Sequence, residues 1–154
     1  MAKDEEHIKV PVDSEEALEE VRRRYGDKVL ANALKPAHYG EIDSPDGYAK
    51  ISEHCGDTIE VFLKVRGGKV LDAGFVTDGC MTTVAALNAA LNVVKGKDLK
   101  QARWITREEV LEELGGLPRE DEHCAGLAAS TVRAAAIDCE KMQSEPWKKA
   151  YRKL

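Results

Sequence analysis

From Thr58 the chain alternates clearly: Ile59, Val61, Leu63 and Val65 share one face, with Glu60, Lys64 and Arg66 on the other. A period of two over that length predicts a half-buried β-strand. Gly67-Gly68 is a two-residue hairpin signal, so Val70 to Thr77 should return as the antiparallel partner. Residues 48–54 predict a preceding strand, which makes the β region a three-stranded meander. On both sides the period becomes helical. Asp13 followed by Glu16 reads as a capping box opening an amphipathic helix through Ala17, Leu18 and Val21. The pattern continues through Tyr25, Val29, Leu30 and Ala33, with a break at Gly26. Pro36 ends it, and Lys35 to Gly47 is rich in loop formers. Beyond Gly79, Val84, Leu87, Leu91 and Val94 fall at helical spacing, with Gly96 as C-cap. A short helix follows over Leu99 to Trp104. Thr106 with Glu109 is a second capping box, starting a helix that stops at Gly115-Gly116. A long helix is expected from about His123 to Met142, and Ser144-Glu145-Pro146 can start a last short one. Residues 1–12 read as a loose arm. The sum is an α+β fold: a small three-stranded antiparallel sheet packed against several helices, with no internal repeat or linker.

Composition narrows the function classes. The chain has 154 residues, 43% apolar and 33% charged, which suits one soluble domain with a real core. A net charge of -5 argues against non-specific nucleic-acid binding, which needs a cationic field. Basic residues do gather at the end (Lys148, Lys149, Arg152, Lys153), as a solvated helix end or a partner contact. No secretory signal opens the chain. The longest apolar stretch, Val84 to Val94, is broken by Asn88 and Asn92 and is far too short to span a bilayer. The expected compartment is therefore the reducing cytoplasm, without a membrane partner. Four cysteines there are not a disulfide framework but structural, catalytic or metal-binding thiols.

Three of the four sit where one element gives way to another. Cys55 lies in the turn Glu53-His54-Cys55-Gly56-Asp57-Thr58, Cys80 follows Gly79 at a strand-to-helix junction, and Cys124 opens the long helix. A helix N-terminus stabilises a thiolate, so Cys80 and Cys124 should both have lowered pKa values. Strand ends and helix starts packed on one sheet can converge at one edge. The bland alternative is that each thiol is a small buried hydrophobe, and the long gaps with no C-x-x-C pair leave that open. Cys139 lies fifteen residues beyond Cys124, roughly 22 Å along the same helix at ~1.5 Å per residue, and reads as structural. Asp57 and His123 are the neighbours that can complete a tetrahedral zinc or iron-sulfur site. His54, Asp78, His38 and His7 read as caps or solvent contacts.

Several motifs resemble one family. Tyr25-Gly26-Asp27-Lys28-Val29, Lys35-Pro36-Ala37-His38-Tyr39-Gly40-Glu41-Ile42, Cys55-Gly56-Asp57-Thr58, Thr77-Asp78-Gly79-Cys80 and Leu117-Pro118 followed by His123-Cys124-Ala125 occur in family order. Together they are similar to the IscU/NifU-type iron-sulfur cluster assembly scaffolds, from about Tyr25 to Ile137. The resemblance implies a SufE/NifU-like fold, with a scaffold domain over 25–142 between an N-terminal arm and helix start (1–24) and a basic helical tail (143–154). It implies ligation by Cys55, Cys80 and Cys124, with Asp57 and His123 as auxiliary ligands. Cys124 matches the position that accepts persulfide sulfur from a cysteine desulfurase. The implied cargo is a [2Fe-2S] cluster passed to apo iron-sulfur proteins, with Asp57 keeping it labile and zinc as an alternative occupant. A zinc-binding SufU-type sulfur acceptor is the alternative; the compact gap between Cys80 and Cys124 favours the scaffold branch. Either way the chain is a carrier and not an enzyme in the usual sense.

Two departures stand out. Met81, followed by Thr82 and Thr83, replaces the family's small residue after the second cysteine. Leu117-Pro118-Arg119-Glu120-Asp121 lacks the second proline of the chaperone-recognition segment and carries an acid in place of its lysine. That change counts against docking to a DnaK-type chaperone.

Overall fold

The alternating stretch forms the central strand of a sheet whose order follows the chain. In the computed structural model, which describes residues 15–52 and 57–151, β1 is Gly47–Ser52, β2 Thr58–Arg66 and β3 Lys69–Thr77. Both pairings are antiparallel, and Gly67-Gly68, each at positive φ, turns β2 into β3. A register shift at Lys64/Val65 bends the central strand. Ile59, Val61 and Leu63 are fully buried, and each such burial stabilises by roughly 1.5–3 kcal/mol. Phe62 departs from the simple alternation: it points to the opposite face yet is buried, its ring 5.2 Å from that of Tyr48 on β1.

Helices cover the inner face. α1 (Glu15–Tyr25) and α2 (Asp27–Leu34) are separated at Gly26, whose φ of 92° no L-residue adopts readily. α3 is Met81–Val94, α4 Leu99–Arg103, α5 Arg107–Leu114 and α6 Glu122–Ser144. Short 3-10 turns span Arg119–Asp121 and Pro146–Tyr151. α6 lies across β1 and β2, while α3 sits between β3, α6, α2 and α5. The Asp98/Gln101 and Thr106/Glu109 capping boxes start α4 and α5, and Gly115 ends α5 in the left-handed region. The expected Asp13/Glu16 capping box, the arm over residues 1–12, and the turn with His54 and Cys55 lie outside the described residues. No described helix is long and apolar enough to cross a membrane.

His38 corrects an expectation. It is buried, not a solvent contact: its backbone N–H donates to Asn88 (3.0 Å) and its Nε2 lies 2.8 Å from Asn92 Oδ1. Asn88 and Asn92 both donate to Asn32 on α2, so the polar breaks in α3 tie it to α2 and the His38 loop. That loop then pairs with β3, Gly40 N–H donating to the Phe75 carbonyl (2.7 Å) and Phe75 N–H to that of His38 (3.0 Å). Part of the edge of β3 is thereby paired and closed to further strands.

Candidate metal-sulfur site

One end of the sheet is knotted together by polar contacts from the Thr77–Cys80 turn. Asp78 caps β2 by accepting the Thr58 N–H (2.7 Å), and the Thr77 hydroxyl donates to the Thr58 carbonyl (2.7 Å). Asp57, half-buried, directly precedes that strand, and Ser52 pairs with Thr58 across it. Both ends of the segment that carries Cys55 therefore stand at the same sheet end as Cys80. Cys55 itself is outside the described residues.

Cys80 is the N-cap of α3, and Cys124 is in the first turn of α6. The packing of these helices brings the two buried sulfurs onto one hydroxyl: Thr82 Oγ1 lies 3.0 Å from Cys80 Sγ and 3.5 Å from Cys124 Sγ. Thr83 Oγ1 lies 3.5 Å from Cys80 Sγ and donates to Cys124 Sγ at 3.8 Å. His123 is exposed at the rim. Its Nδ1 sits 3.0 Å from the Glu120 carbonyl, a contact that requires the proton on Nδ1, and its Nε2 is 3.7 Å from Cys124 Sγ. An imidazole held this way offers its Nε2 lone pair, the usual preparation of a metal-binding histidine.

The two thiols do not titrate alike. A hydrogen bond from the Cys124 thiol holds Cys80 well below the usual thiol range, and the Thr82 and Thr83 hydroxyls add to this against the opposing effect of burial. Cys124 is driven up, because it keeps the proton it shares with Cys80 and is itself buried. The helix-terminus argument predicts lowering at both sites and holds only for Cys80. Two sulfurs this close cannot both carry charge unaided, so one takes the anion. Cys139 is on the same helix as Cys124 but sits against β1, its Sγ where a Cβ on Gly47 would be. It belongs to the core.

The Tyr25 hydroxyl reaches the same neighbourhood. It faces the buried carboxylate of Asp121, and burial, Asp121 and nearby Cys80 push its pKa up to about 12. Arg24 and Glu120 form an ion pair beside it (3.2 Å), so the end of α1 is pinned to the segment leading into His123-Cys124. Tyr25, Thr82, Thr83 and Asp121 appear in the motifs and their departures, but motif reading did not place them at the site. The available signal was two consecutive threonines in the first turn behind a helix-capping cysteine, separated from it only by Met81.

Among the described residues no group of three or more His, Cys, Asp and Glu side chains is arranged to hold a metal ion. The described part is a thiol pair with an imidazole beside it. That donor set fits zinc or iron once a further ligand joins it.

The family model described as NifU-like N terminal domain matches residues 24–146. The chain belongs to this family. Among curated NifU-like relatives, the iron-sulfur cluster assembly scaffold protein IscU 1 of Archaeoglobus fulgidus is 37% identical over 115 residues, covering 74% of this chain and 75% of that one. The Azotobacter vinelandii scaffold protein IscU is 34% identical over 119 residues, 74% of this chain and 92% of that one. In fold, the N-terminal NifU-like protein of Brucella abortus superposes with a TM-score of 0.59 at 22% identity, covering 79% of this chain and 97% of that one. The α+β architecture with its three-stranded sheet is thus shared with solved members of the NifU-like family.

Proposed function

We propose that this NifU-like chain is a scaffold on which an iron-sulfur cluster, [2Fe-2S] in the simplest case, is assembled and then handed to apo-proteins. The reading is carried by one observation: Cys80 and Cys124, far apart in sequence, stand with their sulfurs on a single hydroxyl at 3.0 and 3.5 Å. Cys55 supplies the third thiolate, and Asp57 or His123 the remaining ligand. The relatives named as scaffolds support this role for the whole chain.

Sulfur arrives as persulfide from a cysteine desulfurase. The Cys124 thiolate attacks the outer sulfur of the donor's Cys-S-SH, the donor S–S bond breaks, and the donor leaves as thiolate. In the buried pair the charge rests on Cys80, so Cys124 attacks only once its proton has passed to the adjacent Cys80 sulfur. Cys124 is buried, so its sulfur has to become accessible to the donor for this step. A carboxylate oxygen from Asp57 binds iron less firmly than a fourth thiolate, which suits a cargo meant for release.

Anaerobic incubation with iron, cysteine and a desulfurase tests the proposal. The full chain should develop sulfur-to-iron charge-transfer absorption; a colourless protein that retains zinc and still speeds the desulfurase would replace this reading by a sulfur-acceptor one. An Asp57→Ala variant should hold the assembled cluster severalfold longer against a chelator than the parent does. Equal retention times would remove Asp57 from the release step.

A further inference from the structure

The first turn of α3 contains two consecutive threonines whose side chains are turned away from solvent. Thr82 is fully buried and Thr83 nearly so. A helical threonine in a dry place ordinarily donates its hydroxyl proton to the carbonyl three or four residues back, as Thr131 does to Leu127 at 2.8 Å. Thr82 and Thr83 instead direct their oxygens at the two cysteine sulfurs, with four contacts between 3.0 and 3.8 Å. A buried hydroxyl needs an acceptor. Each has one proton to give. Thr83 is the donor in its contact with Cys124, and toward a Cys80 thiolate, which has no proton to give, the Thr82 hydroxyl at 3.0 Å can only donate.

We propose that Thr82 and Thr83 are positioning residues that donate one hydrogen bond to each of Cys80 and Cys124 and so stabilise negative charge on both sulfurs when they ligate a metal. The inference deepens the scaffold reading without depending on which metal is bound. Two thiolates on one centre concentrate charge in a site screened from water, and no lysine or arginine contacts either sulfur among the described residues. Neutral hydroxyls do part of the work a cation would do. They also steady the sulfur positions, since each threonine is fixed in the helix and its β-branched side chain has few rotamers. On an iron-sulfur cargo, hydrogen bonds to the ligand sulfurs favour the more reduced state. On any metal, they lower the energy of the sulfur lone pairs.

The test uses the full chain loaded anaerobically with Co²⁺ alone, because the thiolate-to-cobalt charge-transfer band reports the sulfur lone-pair energy directly. Thr82→Val and Thr83→Val keep the side-chain shape and remove the donor. Both should shift the band to longer wavelength, Thr82→Val further because its contact is shorter. Thr82→Ser should restore the parent position, and Thr131→Val should leave it unmoved. A Thr82→Val band that coincides with the parent's, or an equal shift in Thr131→Val, overturns the inference. Failure of the folded parent to give any thiolate-to-cobalt band overturns it too. A second arm separates the two readings. If iron reconstitution fails while the cobalt shifts appear, the scaffold role falls and the hydrogen bonds stand. If clusters form but Thr82→Val changes neither the cobalt band nor the cluster's reduction potential, the hydrogen bonds fall and the scaffold role stands.

Discussion

At the scale of single residues, the acid at position 121 has a partner that explains it. Asp121 is buried, and its carboxylate acts on the Tyr25 hydroxyl. Burial, with Asp121 next, raises the Tyr25 pKa from 10 to about 12. A phenol whose folded pKa exceeds its unfolded value contributes stability that is fully present below pH 10 and is lost as pH rises through 12. Tyr48 is raised to about 12 as well, by burial and by its 2.6 Å hydrogen bond to Glu60. Spectrophotometric titration should therefore show a late step near pH 12 that loses one phenol in Tyr25→Phe and one in Tyr48→Phe. A Tyr25→Phe variant whose missing phenol belongs to the ordinary step near pH 10 would contradict the raised pKa. The Tyr25 pairing was not readable in the sequence, because Tyr25 and Asp121 lie on segments that only the tertiary fold brings together.

At the scale of elements, the sequence was informative wherever the deciding interaction is local. The Gly67-Gly68 hairpin, the Thr106/Glu109 capping box and the break at Gly26 each depend on a few neighbouring residues, and each is found where the pattern places it. What could not be read is what faces an element from afar. The spacing of Val84, Leu87, Leu91 and Val94 marks one face of α3, yet Ala85, Ala86, Ala89 and Ala90 are also buried because helices and sheet enclose it. Alanine fits a core or a surface equally, so its burial is settled by packing. Phe62 is the same case in a strand, buried on the outer face by Tyr48. Gly47 shows how tight that packing is: a Cβ there would overlap Cys139 Sγ and the Ala135 carbonyl where β1 crosses α6. Gly47→Ala should cost about 1–3 kcal/mol in denaturant unfolding, the usual range for overpacking. A variant as stable as the parent would mean that β1 and α6 are not in register as described.

At the scale of the molecule, the fold acts as a frame that brings separate chain segments to one end of a small sheet. β2 begins beside the Thr77–Cys80 turn, α3 starts from that turn, and α6 starts where α1 holds its leading segment through Arg24–Glu120 and Tyr25–Asp121. At the other end, Lys149 pins the last 3-10 turn to Asp46 at 2.8 Å, and Cys139 packs into the core. Motif order in the sequence already separated Cys139 from the other three thiols. It was silent on the shared proton and the threonine donors, which exist only once α3 and α6 lie side by side. The measurement that bears most directly on the account is the iron and acid-labile sulfide content of anaerobically reconstituted Cys55→Ala, alongside parent and Cys139→Ala. The account predicts that parent and Cys139→Ala retain iron and sulfide equally, while Cys55→Ala retains almost none. Parent-level iron and sulfide in Cys55→Ala would contradict it.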